Sequence, residues 1–131
     1  MQQTTKNKLA NERGQTMTEF ALILPILVVL LFGIIQFGII FNNYVTLTDA
    51  ARAASRKGAV SRSDPNPTKA CQDAGYAAGV NLSNPGTDFV VTCTFQGGDV
   101  NVTASYPYQI SLLGWVVASG RLNATMKEKV E

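Results

Sequence analysis

From Phe20 to Phe41 the chain carries 22 consecutive residues without a charge, and 17 of them are Leu, Ile, Val or Phe. As a helix rising ~1.5 Å per residue, the run covers roughly 33 Å, about the hydrocarbon thickness of a bilayer. At about −0.3 to −0.6 kcal/mol per large apolar residue, insertion is favoured by roughly 5 to 10 kcal/mol, less modest terms for Pro25, Gln36 and the glycines. The competing fold is a helix, apolar all round, buried in a soluble domain. It needs more surrounding protein than 131 residues provide. The run therefore predicts a helix that spans the lipid bilayer.

The flanks predict its orientation. Lys6, Lys8 and Arg13 precede the span with only Glu12 opposing them, so the positive-inside tendency places the N-terminus in the cytoplasm and residues beyond about Asn42 outside. Arg52, Arg56, Lys57 and Arg62 pull the other way, but Asp49 and Asp64 are mixed among them. Two cysteines agree with an oxidising exterior. A cleaved secretory signal fits poorly, because Asn42-Asn43-Tyr44-Val45 follows the run with no A-x-A site. The span is expected to stay attached.

The formal charge of +2 resides in the first 14 residues, which hold three bases and one acid; the remainder balances eight Lys/Arg against eight Asp/Glu. Nothing in that balance favours nucleic acid. Histidine is absent, and no G-x-S-x-G elbow, phosphate loop, C-x-x-C pair or close carboxylate couple is present, so neither catalysis, a metal nor a cofactor is expected.

Beyond the span, Asn42–Val60 lacks proline. Alanines at 50, 51, 53, 54 and 59, with Val45 and Leu47, give a slim surface suited to close helix packing. Gly58 is the expected stop, before the turn-forming stretch from Ser61 to Pro67. A short helix is predicted from there to about Gly79, with Asn66 as cap, Pro67 in the first turn and Ala70, Ala74, Ala77 and Ala78 on one side. Phe89, Val91, Cys93 and Phe95 alternate with polar or small residues, as do Val100, Val102, Ala104 and Tyr106 after Gly97-Gly98. A turn at the two glycines pairs Gln96 with Asp99, Phe95 with Val100, Cys93 with Val102, Val91 with Ala104 and Phe89 with Tyr106. A third strand from about Leu122 to Lys129 completes the prediction: an α+β chain with a long N-terminal transmembrane helix, then a small lobe of one short helix and a three-stranded antiparallel sheet. The expected divisions are 1–14, 15–60 and 61–131.

Cys93 is placed on the apolar face against which the helix carrying Cys71 must pack. The two cysteines are either a disulfide worth roughly 3 kcal/mol or two buried thiols. The stretch Ile110–Val117 fits no clean pattern. It is either a loop folded into the sheet's core or an apolar patch, anchored by Trp115, that meets a neighbouring subunit or the membrane surface.

The run Arg13-Gly14-Gln15-Thr16-Met17-Thr18-Glu19-Phe20, the early Pro25, Gly33 and Gly38 flanking Gln36, and Ala50-Ala51-Arg52-Ala53-Ala54-Ser55-Arg56 follow in order. In this the chain resembles the TadE-like family of pilin-related proteins, which serve the tight-adherence (Tad, Flp-type) pilus. The resemblance covers roughly residues 13 to 58. It implies cleavage by a prepilin peptidase between Gly14 and Gln15, a single-pass protein of the bacterial inner membrane, and other pilin subunits and Tad assembly proteins as partners. It further implies that Glu19, fifth in the mature chain, pairs with a neighbour's free amino terminus, since each charge is expensive alone near lipid. Read from the residues alone, Glu19 is also an acid well placed at the start of a helix. Gln36 stands where many relatives carry an acid, and Phe20 where major pilins carry tyrosine. Those major pilins also lack a lobe of this size, so the resemblance is to a minor pilin or pseudopilin. The competing functions are a permanently anchored envelope protein of a secretion apparatus and a tethered ligand-binding module.

Overall fold

The computed structural model describes residues 3–82, 88–112 and 114–131, with side chains from Gln15 onward except at 83–87 and 113. Helix α1 runs from Gln3 to Ala59 and α2 from Pro67 to Ala78; strands β1 (Val90–Gln96), β2 (Asp99–Leu112) and β3 (Trp115–Lys129) follow. The fold class is α+β, with the long apolar helix, the short helix and the antiparallel sheet expected from the sequence. Two compact units divide the chain, Met1–Gln36 and Phe37–Glu131. The second takes in the distal part of α1, so that stretch of helix belongs to the lobe's core.

In the first unit, the apolar stretch of α1 is 0% buried within the protein. A helix whose Leu, Ile and Phe side chains all face outward is stable only where the surroundings are themselves apolar. Pro25 lies inside it, and proline leaves the carbonyl one turn back without its helical hydrogen bond, an arrangement common in membrane helices.

In the second unit α1 presents the expected small-residue wall. Leu47, Ala50, Ala51, Ala54, Ser55 and Ala59 are buried at the three- and four-residue spacing of one helix face. Ala53 is half-buried and Val45 stays outside.

Helix α2 starts where its cap dictates. The Asn66 side-chain oxygen accepts a hydrogen bond from the Lys69 backbone N–H at 3.2 Å, and Pro67 fills the first turn, where its missing donor is harmless. Ala70, Ala74, Ala77 and Ala78 share one side of α2, as the spacing predicts, but that side is not the one that packs. The buried residues are Cys71 and Gly75, with Gly79 one turn on, while Ala77 and Ala78 are exposed. Close approach is the reason. A Cβ on Gly75 would stand 2.9 Å from Val91 Cγ1 and 3.1 Å from the Ala54 Cβ, and one on Gly79 would collide with the Phe89 ring. Glycine lets α2 sit nearer to α1 and β1 than alanine allows.

The sheet is a meander in the order β1-β2-β3. Gly97 and Gly98, at φ 62° and 86°, make the tight turn between β1 and β2, a conformation that side chains other than glycine's rarely adopt. The register is Gln96↔Asp99, Phe95↔Val100, Cys93↔Val102 and Val91↔Ala104, continuing to Val90↔Ser105. One face therefore carries Val91, Cys93, Val100, Val102 and Ala104, all buried. Fully burying Phe89, Leu47, Val91, Val100 and Val102 contributes about 1.5 to 3 kcal/mol each before chain entropy is set against it. Tyr76 packs edge-on to Phe89, ring centroids 5.5 Å apart, and its hydroxyl accepts a hydrogen bond from the Val91 N–H at 3.4 Å. The Glu131 N–H donates to the Ala59 carbonyl at 3.1 Å, tying the far end of the sheet to the end of α1.

Both β2 and β3 are longer than the alternation suggested. They pair beyond β1, from Tyr106↔Leu122 through Tyr108↔Gly120 and Ile110↔Ala118 to Leu112↔Trp115, with a register shift at Ile110/Ser111. Ile110–Val117 is thus no loop folded into the core. It forms the end of a two-stranded arm, apart from Leu113, which lies outside the described residues, and Trp115, Val116 and Val117 are 82%, 59% and 63% exposed. The register shift blurs the alternation there, which is why the stretch reads as neither strand nor helix. Pro107 lies just past the last β1 pair, on an open edge where a residue without an N–H is tolerated.

Candidate processing and assembly site

Gln15 and Glu19 lie four residues apart on α1, hence on one face of the helix. The Gln15 Nε2 donates to Glu19 Oε1 at 3.3 Å. Both side chains are exposed, as are Phe20 and Pro25, while Gln36 is half-buried. Gly14 lies within α1, in the stretch 3–14 whose side chains are outside the description.

The electrostatics follow from the sequence laid on this helix. Between Gln15 and Thr48 the only charged residue is Glu19. Where that carboxylate meets the edge of a bilayer, its own span supplies the Gln15 amide and no cation. An amide donor stabilises a carboxylate less than a charged ammonium does, because it carries only a dipole and adds no Coulomb attraction of a full opposite charge. The arrangement places one acidic side chain at the edge of an uncharged apolar run. A helix start at Gln15 would also bring the positive end of the helix dipole within a turn of the carboxylate.

Cys71 and Cys93 are brought together as a disulfide with Cα atoms 6.4 Å apart, and both residues are buried. Its position between α2 and β1 makes it part of the lobe's core. Among the described residues no group of His, Cys, Asp and Glu could hold a metal ion. Trp115 is remote in sequence from Gln15 and Glu19 and stands exposed on the arm.

The uncharged character of the arm is not carried by the alternation of its residues. From Val100 to Gly120 no residue is charged, and this stretch supplies the whole arm beyond the Pro107↔Arg121 pair near its base. The signal was present as a gap between Asp99 and Arg121. It carries no periodicity, which is what strand recognition relies on.

Residues 14–56 match the model of the TadE-like protein family. That family is associated with the Tad pilus, and the matched segment contains Gly14, Gln15, Glu19, Phe20, Pro25 and Gln36 together with most of the small-residue wall. No curated protein and no solved structure matches the chain.

Proposed function

We propose that this chain is a structural minor pilin or pseudopilin of a Tad, Flp-type pilus. A prepilin peptidase cuts it between Gly14 and Gln15 at the cytoplasmic face of the inner membrane. The lobe lies on the periplasmic or outer side. The observation that carries the reading is the solitary Glu19 at the start of the exposed apolar run of α1, within the residues that match the TadE-like model. Cleavage creates a new amino group at Gln15, so every mature copy presents one cation and one anion about one helical turn apart. A neighbour's amino group then neutralises Glu19, which favours side-by-side packing of spans because both charges are costly when unpaired near lipid. Lys6, Lys8 and Arg13 hold the uncut leader at the anionic inner leaflet, where each base near the surface contributes about 1 kcal/mol. Glycine before the cut leaves the backbone unobstructed by a side chain.

The test is the mature N-terminus, read by mass spectrometry of the membrane fraction with and without the cell's prepilin peptidase. A chain beginning at Gln15 only when the peptidase is present is the expected result. Gly14→Ala should abolish that product, and Glu19→Ala should leave the cut intact while preventing co-purification with other pilin subunits. An uncut chain in both cells, indifferent to Glu19→Ala, would instead identify a permanently anchored envelope protein.

A further inference from the structure

Resting on the reading of α1 as a membrane span, we infer that the β2–β3 arm is a second membrane contact, which lays Trp115 and its neighbours into the outer lipid–water interface beside the exit of the span.

The direction of the arm is fixed within the unit Phe37–Glu131. At its base, the Glu131 N–H meets the Ala59 carbonyl. Val100 packs at Gly58, where a Cβ would lie 2.9 Å from Val100 Cγ2. Further along, Val91 packs at Gly75 beside Ala54, and Val91 is the partner of Ala104. Passing from Val100 to Ala104 therefore moves back along α1 from Gly58 toward Ala54, which is toward the apolar run. From Val100 to Leu112 the strand extends roughly 40 Å, whereas α1 from Gly58 back to Phe41 rises about 25 Å. The arm thus reaches the level of Phe41 at any inclination to the helix up to about 50°.

What it brings there suits lipid. No charge occurs from Val100 to Gly120, and the arm carries Tyr106, Tyr108 and Trp115 with Ile110, Leu112, Val116 and Val117. Charge returns at Arg121, opposite Pro107, and then at the base with Lys127, Glu128, Lys129 and Glu131, where Lys127 pairs with Asp99 at 2.9 Å. Tyrosine and tryptophan favour the interface, where the ring meets acyl chain and the polar atom meets water. Asn42 and Asn43, directly after Phe41, mark that same boundary on the helix. In water the arm beyond Arg121 would instead be an uncharged two-stranded ribbon with an open edge, which proteins normally protect with charge or cover.

Trp115 is the only tryptophan in the chain, so its fluorescence reports on the arm alone. The experiment uses the full chain in vesicles of phosphatidylethanolamine and phosphatidylglycerol bearing bromine at known acyl positions. A blue-shifted emission is expected, quenched most by bromine near the headgroups and protected from acrylamide. Val117→Asp should lose the lipid quenching while the amides of Val91 and Val102 stay protected from hydrogen exchange, showing that the lobe is still folded. A stably inserted chain whose Trp115 is open to acrylamide and untouched by bromolipid overturns the inference. So does a blue shift without bromine quenching that vanishes on dilution into excess lipid, which would assign the arm to a second copy. A chain stripped from the vesicles by alkaline carbonate overturns the spanning reading itself.

Discussion

Opening the Cys71–Cys93 bridge should remove much of the lobe's stability without removing any of its packing atoms. The bridge joins residues 22 apart in sequence. In the loop-entropy account, closing a loop of that size withdraws about 11 cal/mol/K from the unfolded chain, or about 3.4 kcal/mol at 25 °C. A unit the size of Phe37–Glu131 is stable by roughly 5 to 14 kcal/mol, so the bridge accounts for a quarter to a half or more of it. The corresponding fall in Tm is about 14 to 27 °C. The assay compares oxidised and reduced wild-type chain in detergent micelles, so that both sulfurs keep their places between α2 and β1. Alkylation followed by mass spectrometry confirms zero adducts before reduction and two after it under denaturing conditions. Hydrogen exchange at the amides of Val91 and Val102, in the middle of the β1–β2 ladder, then reads the free energy of opening. A loss near 3 kcal/mol is expected. A loss under about 1 kcal/mol would refute the reasoning, because it would mean that the unfolded chain is already constrained without the bridge.

Further substitutions probe the local arguments. Asn66→Ala removes the side-chain acceptor of the Lys69 N–H and should cost about 1 kcal/mol in urea unfolding, with Asn66→Ser retaining most of it. Gly75→Val places branches where even a Cβ is 2.9 Å from Val91, and should destabilise the lobe by about 1 to 3 kcal/mol, partly recovered by adding Val91→Ala. Lys127→Ala breaks the ion pair with Asp99, whose lysine is well exposed; its effect on the Tm should correspond to less than about 1 kcal/mol and shrink further in high salt.

The elements that were legible in the sequence are those enforced by local chemistry or strict period. The span is visible because lipid demands an unbroken apolar run, and α2 because Asn66-Pro67 is both cap and first turn. The β1–β2 register follows from the pair Gly97-Gly98, since two residues with positive φ leave only one way for Val91, Cys93, Val100 and Val102 to share a face. In α2 the residues that pack are Cys71, Gly75 and Gly79, beside the alanine side and not on it. At Gly75 and Gly79 contact distance outweighs apolarity, and a single sequence does not reveal how near a neighbouring backbone comes. The arm was cut short for a related reason, since Pro107 and the small residues near Gly120 weaken the strand signal although both edges of the ribbon tolerate them. At the candidate site, the spacing of Gln15 and Glu19 already places them on one helical face, whereas their hydrogen bond depends on side-chain rotation.

The wall of α1 is made of alanine, serine and glycine, with Leu47 the only large side chain buried along it. During synthesis this wall emerges before α2 and all three strands, so it must wait for its cover while the apolar run ahead of it is already entering the membrane. A leucine-rich face exposed for that interval would collapse on whatever apolar surface came first, the bilayer included. Alanine and glycine offer so little apolar area that the waiting helix is nearly inert, and they become a good packing surface only when Val91, Val100 and Val102 arrive at close range. The same small residues that let the finished lobe pack tightly thus keep its unfinished half from sticking.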